Sequence, residues 1–165
     1  MLGGSHAVGN VTSSAERNFW NDPHAAAAVL AASWRRLVQV TVDASYAVPF
    51  DRGYAGSLRA LGSPAGLAAA SHLEARIEAY RGSARMAGRD AAPLHDPLAV
   101  AYLLDPDVVV LRHLHVAVET QGTLTTGRSV IDVDGVGDGA PNAYVALEAD
   151  GVRFGRLLLR ALARR

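Results

Sequence analysis

The stretch Leu37-Val38-Gln39-Val40-Thr41-Val42-Asp43 constrains the fold most. It is short and β-branched, which predicts a strand. It is apolar enough to be an inner parallel strand with both faces covered. Such a strand belongs to an α/β protein with a buried sheet, and half of the 165 residues are hydrophobic, as that class requires. The length suits one core, so residues 1–165 are expected to form a single domain.

Around that strand the chain reads as alternating elements. Met1 to Thr12 is glycine-rich. Ser13-Ser14-Ala15-Glu16 has the pattern of a capping box, with Ser13 as N-cap and Glu16 at the third helical position, opening a short helix to about Trp20. Asp22-Pro23 opens a second, alanine-rich helix. Ala44 to Arg52 reads as a loop, and Gly53 to Leu61 as a short helix. Ser63-Pro64 opens a long helix with Leu67, Ala70, Leu73, Ile77 and Tyr80 at helical spacing. Arg89 to Pro93 reads as a loop. Val108–Val110 and His113–Glu119 are expected to be strands, with 123–132 the hairpin partner of the second. Tyr144–Glu148 is a further strand. Asp150 caps a terminal helix whose closing arginines, Arg160, Arg164 and Arg165, suit the negative end of its dipole.

Composition removes several function classes. Formal net charge is zero, so there is no electrostatic case for nucleic acid or an anionic membrane as partner. There is no cysteine, which excludes disulfides, thiolate metal sites and a cysteine nucleophile. All sixteen basic residues are arginine, which excludes a Schiff-base or P-loop lysine. No segment reaches the ~18 apolar residues of a membrane span. The N-terminus has neither the basic nor the apolar region of a signal peptide, so a cytoplasmic protein is expected.

The chemistry concentrates at Leu94-His95-Asp96-Pro97-Leu98-Ala99-Val100-Ala101-Tyr102. Pro97 suits a first helical position, which places Asp96 at the N-cap. Two readings stay open for this pair. One is a cap and its neighbour. The other is a site, with an imidazole acid or base beside a carboxylate that can take a metal or a hydroxyl. His113 and His115 share a strand face but lack a third ligand, so they read as packing or surface. Asp132-Val133-Asp134-Gly135 lacks the further carboxylates of a calcium loop and reads as a turn. Asp43, at a strand's C-terminal end, reads as structural.

Three blocks, in order, resemble the inosine-uridine preferring nucleoside hydrolases. The first runs from Met1-Leu2-Gly3-Gly4 through Gly9-Asn10-Val11-Thr12 and Ala15-Glu16-Arg17-Asn18 to Asp22-Pro23. The second is Val42-Asp43. The third is His95 to Tyr102. The hairpin from Val118 to Gly127 and the ending from Asn142 to Phe154 are similar too. The family's chains are about twice this length. Its hallmark is an N-terminal Asp-x-Asp-x-Gly-x-Asp-Asp cluster that holds calcium and activates water, and this sequence contains no such motif. The resemblance therefore implies a partial Rossmann-like nucleoside hydrolase fold, the C-terminal half, with the N-terminal strands missing.

What the resemblance implies for single residues is specific. Asn10, Glu16 and Asn18 would bond ribose hydroxyls, and Met1 would line the ribose pocket. Asp96 would ligate calcium and contact the ribose diol. His95 would donate a proton to the leaving base. Arg17 stands where the family usually has an aromatic. Cleaving an N-glycosidic bond requires a held ribose, an activated water and a protonated leaving base. Calcium takes about six to eight oxygen ligands, and one carboxylate cannot hold it usefully. The expectation is a ribonucleoside hydrolase that is inactive, or nearly so, as an isolated chain, needing the missing half from a longer reading frame or a complementary N-terminal polypeptide. The alternatives are a non-catalytic homologue that oligomerises through an exposed sheet edge, or a ribose- or nucleoside-binding module.

Overall fold

The predicted inner strand is there, but shorter. In the computed structural model, which describes residues 1–7 and 9–163, β1 spans Val38–Val40. It pairs in parallel with β7 (Ala143–Ala149), with Val38 opposite Tyr144 and Val40 opposite Ala146. On its other side Val40 donates to the Met1 carbonyl at 2.9 Å, and Gly3 donates to the Val40 carbonyl at 3.1 Å. β1 thus has neighbours on both sides, as its apolar sequence requires. β4 (Val109–Leu114) lies on the far side of β7, giving the order β1-β7-β4.

The strand stops early because Thr41 begins a helix. Its hydroxyl donates to the Ala146 carbonyl at 2.8 Å and accepts the Ala44 N–H at 3.5 Å. That is an N-cap arrangement, and α3 (Val42–Ala47) follows where a loop was expected. The second half of the expected loop is β2 (Phe50–Asp51). It pairs antiparallel with β3 (Ala91–Ala92), a short strand inside the expected 89–93 loop.

The chain divides into two compact units, one of Met1–Ala44 with Val109–Glu148, the other of Ser45–Val108 with Ala149–Arg165. The first contains the three-stranded sheet, α1 (Arg17–Asn21), α2 (Pro23–Ala31), and the hairpin of β5 (Val116–Val118) with β6 (Ser129–Ile131). Asp22 caps α2 by accepting the Ala25 N–H at 2.8 Å, with Pro23 just inside, as predicted. Phe19, Leu30, Leu114, Val116, Ile131 and Val145 form its core. The expected strand at 113–119 is divided, because β4 runs on to Leu114 and β5 starts afresh after His115.

The second unit is helical apart from the small ribbon. It holds α4 (Arg52–Arg59), α5 (Pro64–Ala79), α6 (His95–Leu104) and α7 (Gly151–Leu162). Ser63 caps α5 and Asp150 caps α7, both as predicted. Arg160 lies in the last turn of α7, while Arg164 and Arg165 fall outside the described residues. Ala70, Leu73 and Ile77 are buried at the predicted spacing, together with Leu58, Leu98 and Phe154, whereas Leu67 is exposed. Among the described residues no helix is long and apolar enough to cross a membrane.

Candidate functional site

The polar loop of the first unit is organised by its backbone. Asn10 Oδ1 accepts the Arg17 N–H at 2.8 Å, and the Asn10 N–H donates to the Ala15 carbonyl at 3.0 Å. Glu16 is almost wholly buried, only 3% exposed. The expected capping box does not form; Glu16 itself is the N-cap of α1. Its Oε1 accepts the Asn18 N–H at 2.9 Å, and its Oε2 accepts those of Phe19 at 3.2 Å and Gly4 at 2.9 Å. The carboxylate takes the two N–H groups that an N-cap side chain normally takes, and its second oxygen also ties in the N-terminal segment. Asn18 Nδ2 donates to the Leu2 carbonyl at 3.4 Å. Glu16 and Asn18 therefore hold residues 2–4, the segment that Met1 heads, while Asn10 braces the same loop through Arg17 and Ala15.

Asp43, read as structural, accepts the His6 N–H at 2.7 Å and the Ala7 N–H at 3.1 Å. His113 stacks on Tyr144, ring centroids 4.4 Å apart, and His115 Nδ1 lies 3.0 Å from the Ala140 carbonyl. Asp132 closes a turn, and the Gly137 and Val136 N–H groups that it accepts hold its carboxyl below the usual range.

In the second unit the imidazole of His95 is held by side chains. Its Nδ1 lies 2.6 Å from Ser45 Oγ and its Nε2 lies 3.0 Å from the Tyr80 hydroxyl. Tyr46 meets the ring edge-on, centroids 5.0 Å apart, and its hydroxyl is 3.3 Å from that of Tyr80. The Arg76 guanidinium donates to the Tyr80 oxygen at 3.4 Å, which leaves the tyrosine proton for His95 or Tyr46. Burial, and then the charges of Arg76 and Arg85, push the His95 pKa down to about 4. His95 is a neutral ring at neutral pH.

His95, not Pro97, is the first residue of α6, and Leu94 is its N-cap without a side-chain bond. Asp96 is thus in the first turn rather than at the cap. The Leu98 N–H donates to the Leu94 carbonyl at 3.3 Å, which starts the helix two residues before the proline. Pro97 tolerates this because its absent N–H is one of the four that a helix start leaves unbonded. Asp96 is exposed, and with Leu94, Val100, Leu104 and Leu157 it lines an apolar cavity of about 430 Å³.

The calcium ion that the resemblance implies does not fit this donor set. Among the described residues no three His, Cys, Asp or Glu side chains are grouped to hold a metal. Asp96 stands as one carboxylate against the about six to eight oxygens calcium takes.

The family model described as inosine-uridine preferring nucleoside hydrolase matches residues 1–156. The chain belongs to this family. It is 34% identical over 162 residues to a pyrimidine-specific ribonucleoside hydrolase, RihA, of Salmonella newport, covering 98% of this chain and 51% of that protein. It is 35% identical to a non-specific ribonucleoside hydrolase, RihC, of Escherichia fergusonii, covering 99% of this chain and 51% of that one. Among solved structures, a plant nucleoside hydrolase superposes with a TM-score of 0.84 at 26% identity, covering 99% of this chain and 52% of its own. A purine-preferring ribonucleoside hydrolase from Gardnerella vaginalis does so with a TM-score of 0.80 at 28% identity, covering 98% and 50%. This nucleoside hydrolase chain therefore spans about half the length of the relatives it matches, and the partial α/β nucleoside hydrolase fold is what those neighbours share with it.

Ser45, Tyr46, Arg76 and Tyr80 were not among the predicted site residues. Only Tyr80 left a trace in the sequence, as a polar-tipped aromatic at the last apolar position of a helical repeat.

Proposed function

We propose that this chain carries the ribose-holding and leaving-group machinery of a ribonucleoside hydrolase and needs carboxylates from outside itself to complete a calcium site. The observation that carries the reading is that Glu16 and Asn18 both bond the Leu2–Gly4 segment, with Asn10 bracing the loop beside them, in a chain of this family. Glu16 Oε1 accepts one backbone N–H, which leaves it a lone pair for a hydroxyl. Asn10 and Asn18 add amide groups for the remaining hydroxyls, and Met1 gives an apolar wall.

His95 serves the departing base. As a neutral ring it cannot act as a resting imidazolium. It works as a member of the chain Tyr80–His95–Ser45. The Nδ1 proton passes through the Ser45 hydroxyl to the base as Nε2 takes the Tyr80 hydroxyl proton, so the ring stays neutral and the negative charge left on the Tyr80 oxygen is held by Arg76. Asp96 offers one ligand to the calcium site and a contact to the ribose diol. The substrate class is ribonucleosides, cleaved to base and ribose, in the cytoplasm. The isolated chain is inactive or nearly so, and the family's aspartate cluster comes from the other half, in a longer chain or a complementary polypeptide.

A second reading, a ribose-binding module without chemistry, is favoured by the lone carboxylate at Asp96. Release of ribose from a ribonucleoside such as inosine or uridine, whose base leaves only with proton help, separates the two. The chain alone should give no turnover above the uncatalysed rate, and adding the N-terminal half of a relative with calcium should produce turnover that His95→Ala abolishes. Turnover by the chain alone would overturn the incomplete-site reading, and none from the mixture would leave the binding module.

A further inference from the structure

We propose that Gln39 is a positioning residue, which holds the Gly3-Gly4 turn so that Gly4 presents its N–H to Glu16; this rests on the reading of Glu16 as a ribose ligand. Gln39 lies in the middle of β1 and is fully buried. Its Nε2 donates to the Gly3 carbonyl at 3.0 Å. Its Oε1, also buried, has no hydrogen-bond partner among the described residues. An amide left half-satisfied in a core costs stability that leucine or methionine would not. Packing therefore does not call for glutamine here. What the amide does that an apolar side chain cannot is donate to Gly3.

The turn it holds is confined from below. A Cβ on Gly4 would come within 2.6 Å of Gln39 Nε2 and 2.8 Å of Ser129 Oγ, and Gly4 has φ +71°. Ser129 grips the next residue, accepting the Ser5 N–H at 2.8 Å and donating to the Ser5 carbonyl at 2.7 Å. Gln39 and Ser129 thus clamp the two ends of one turn from beneath. Between them the Gly4 N–H points at Glu16 Oε2. The carboxylate's aim then depends on a side chain from a buried strand that touches no substrate.

The test uses the whole chain and Gln39→Met, read by amide hydrogen exchange and by titration with ribose. The expected result is a loss of about tenfold in Gly4 protection with Ser5 protection and the unfolding temperature unchanged, because the orphaned Oε1 goes too. The ribose Kd, followed at the Asn18 side-chain amide, should rise about tenfold. Gly4 protection that is unchanged, or that falls only in step with all core amides, would overturn the proposal. If Gln39→Met does not fold, Gln39→Glu gives the same test within one sample. Its carboxyl donates to Gly3 when protonated and repels it when ionised, so Gly4 protection should fall as pH rises through that titration, and a flat profile would overturn the proposal. If the unaltered chain binds no ribose, the ribose reading of Glu16 fails while the Gly4 result still decides the role of Gln39.

Discussion

The two polar clusters of this chain are built in opposite ways. In the first unit Glu16 is held by three backbone N–H groups, from Gly4, Asn18 and Phe19. In the second, His95 is held by two hydroxyls, Ser45 and Tyr80. A group held by backbone is placed by the fold, so removing it damages the fold. A group held by side chains is tuned by them, so removing it changes protonation more than structure. The first arrangement suits a task of position, gripping a sugar. The second suits a task of proton movement.

The comparison breaks first at Glu16. Glu16→Ala leaves three N–H groups unbonded in a buried place and should cost about 3–4 kcal/mol, read by denaturant unfolding of the whole chain. A loss below about 1 kcal/mol would mean that the carboxylate is not the keystone of residues 2–19.

Next comes the pH dependence of His95. The unfolded ring takes a proton near pH 6.5 and the folded ring only near 4. Between those values the unfolded chain holds more protons, so the stability present above pH 6.5 is lost as pH falls towards 4. The loss should be about 2–3 kcal/mol. His95→Gln should flatten that part of the profile, measured as the difference between the two proteins from pH 7 to 4.

Tyr80→Phe should cost less, about 1 kcal/mol, since it removes one hydroxyl shared by His95 and Arg76. The smallest effect belongs to Asp96→Asn. Asp96 is exposed, so thermal unfolding should stay within about 0.5 kcal/mol of the parent. A large loss there would make Asp96 a fold residue, against its assignment as a ligand.

Local chemistry was legible in the sequence wherever one residue decides the outcome. Asp22, Ser63 and Asp150 cap the helices they were expected to cap, and Ala70, Leu73 and Ile77 face the core. Boundaries failed where the group that starts a helix was not the one the local pattern named. Thr41 ended a strand to cap α3, Glu16 took the cap from Ser13, and the Leu94 carbonyl started α6 ahead of Pro97. The family could be read because the blocks keep their order and spacing. The tyrosines and Ser45 could not, because their distance to His95 is set by how α3, α5 and α6 pack, and no periodicity records that.

As proposed, the chain brings the sugar-gripping and proton-moving groups and, among the described residues, one carboxylate of a calcium site. Isothermal titration of calcium into the chain alone, with and without ribose, tests this most directly. The account predicts no binding heat in either case. Tight calcium binding by this chain alone would contradict it, since that would require carboxylates to gather around the ion where the structure groups none.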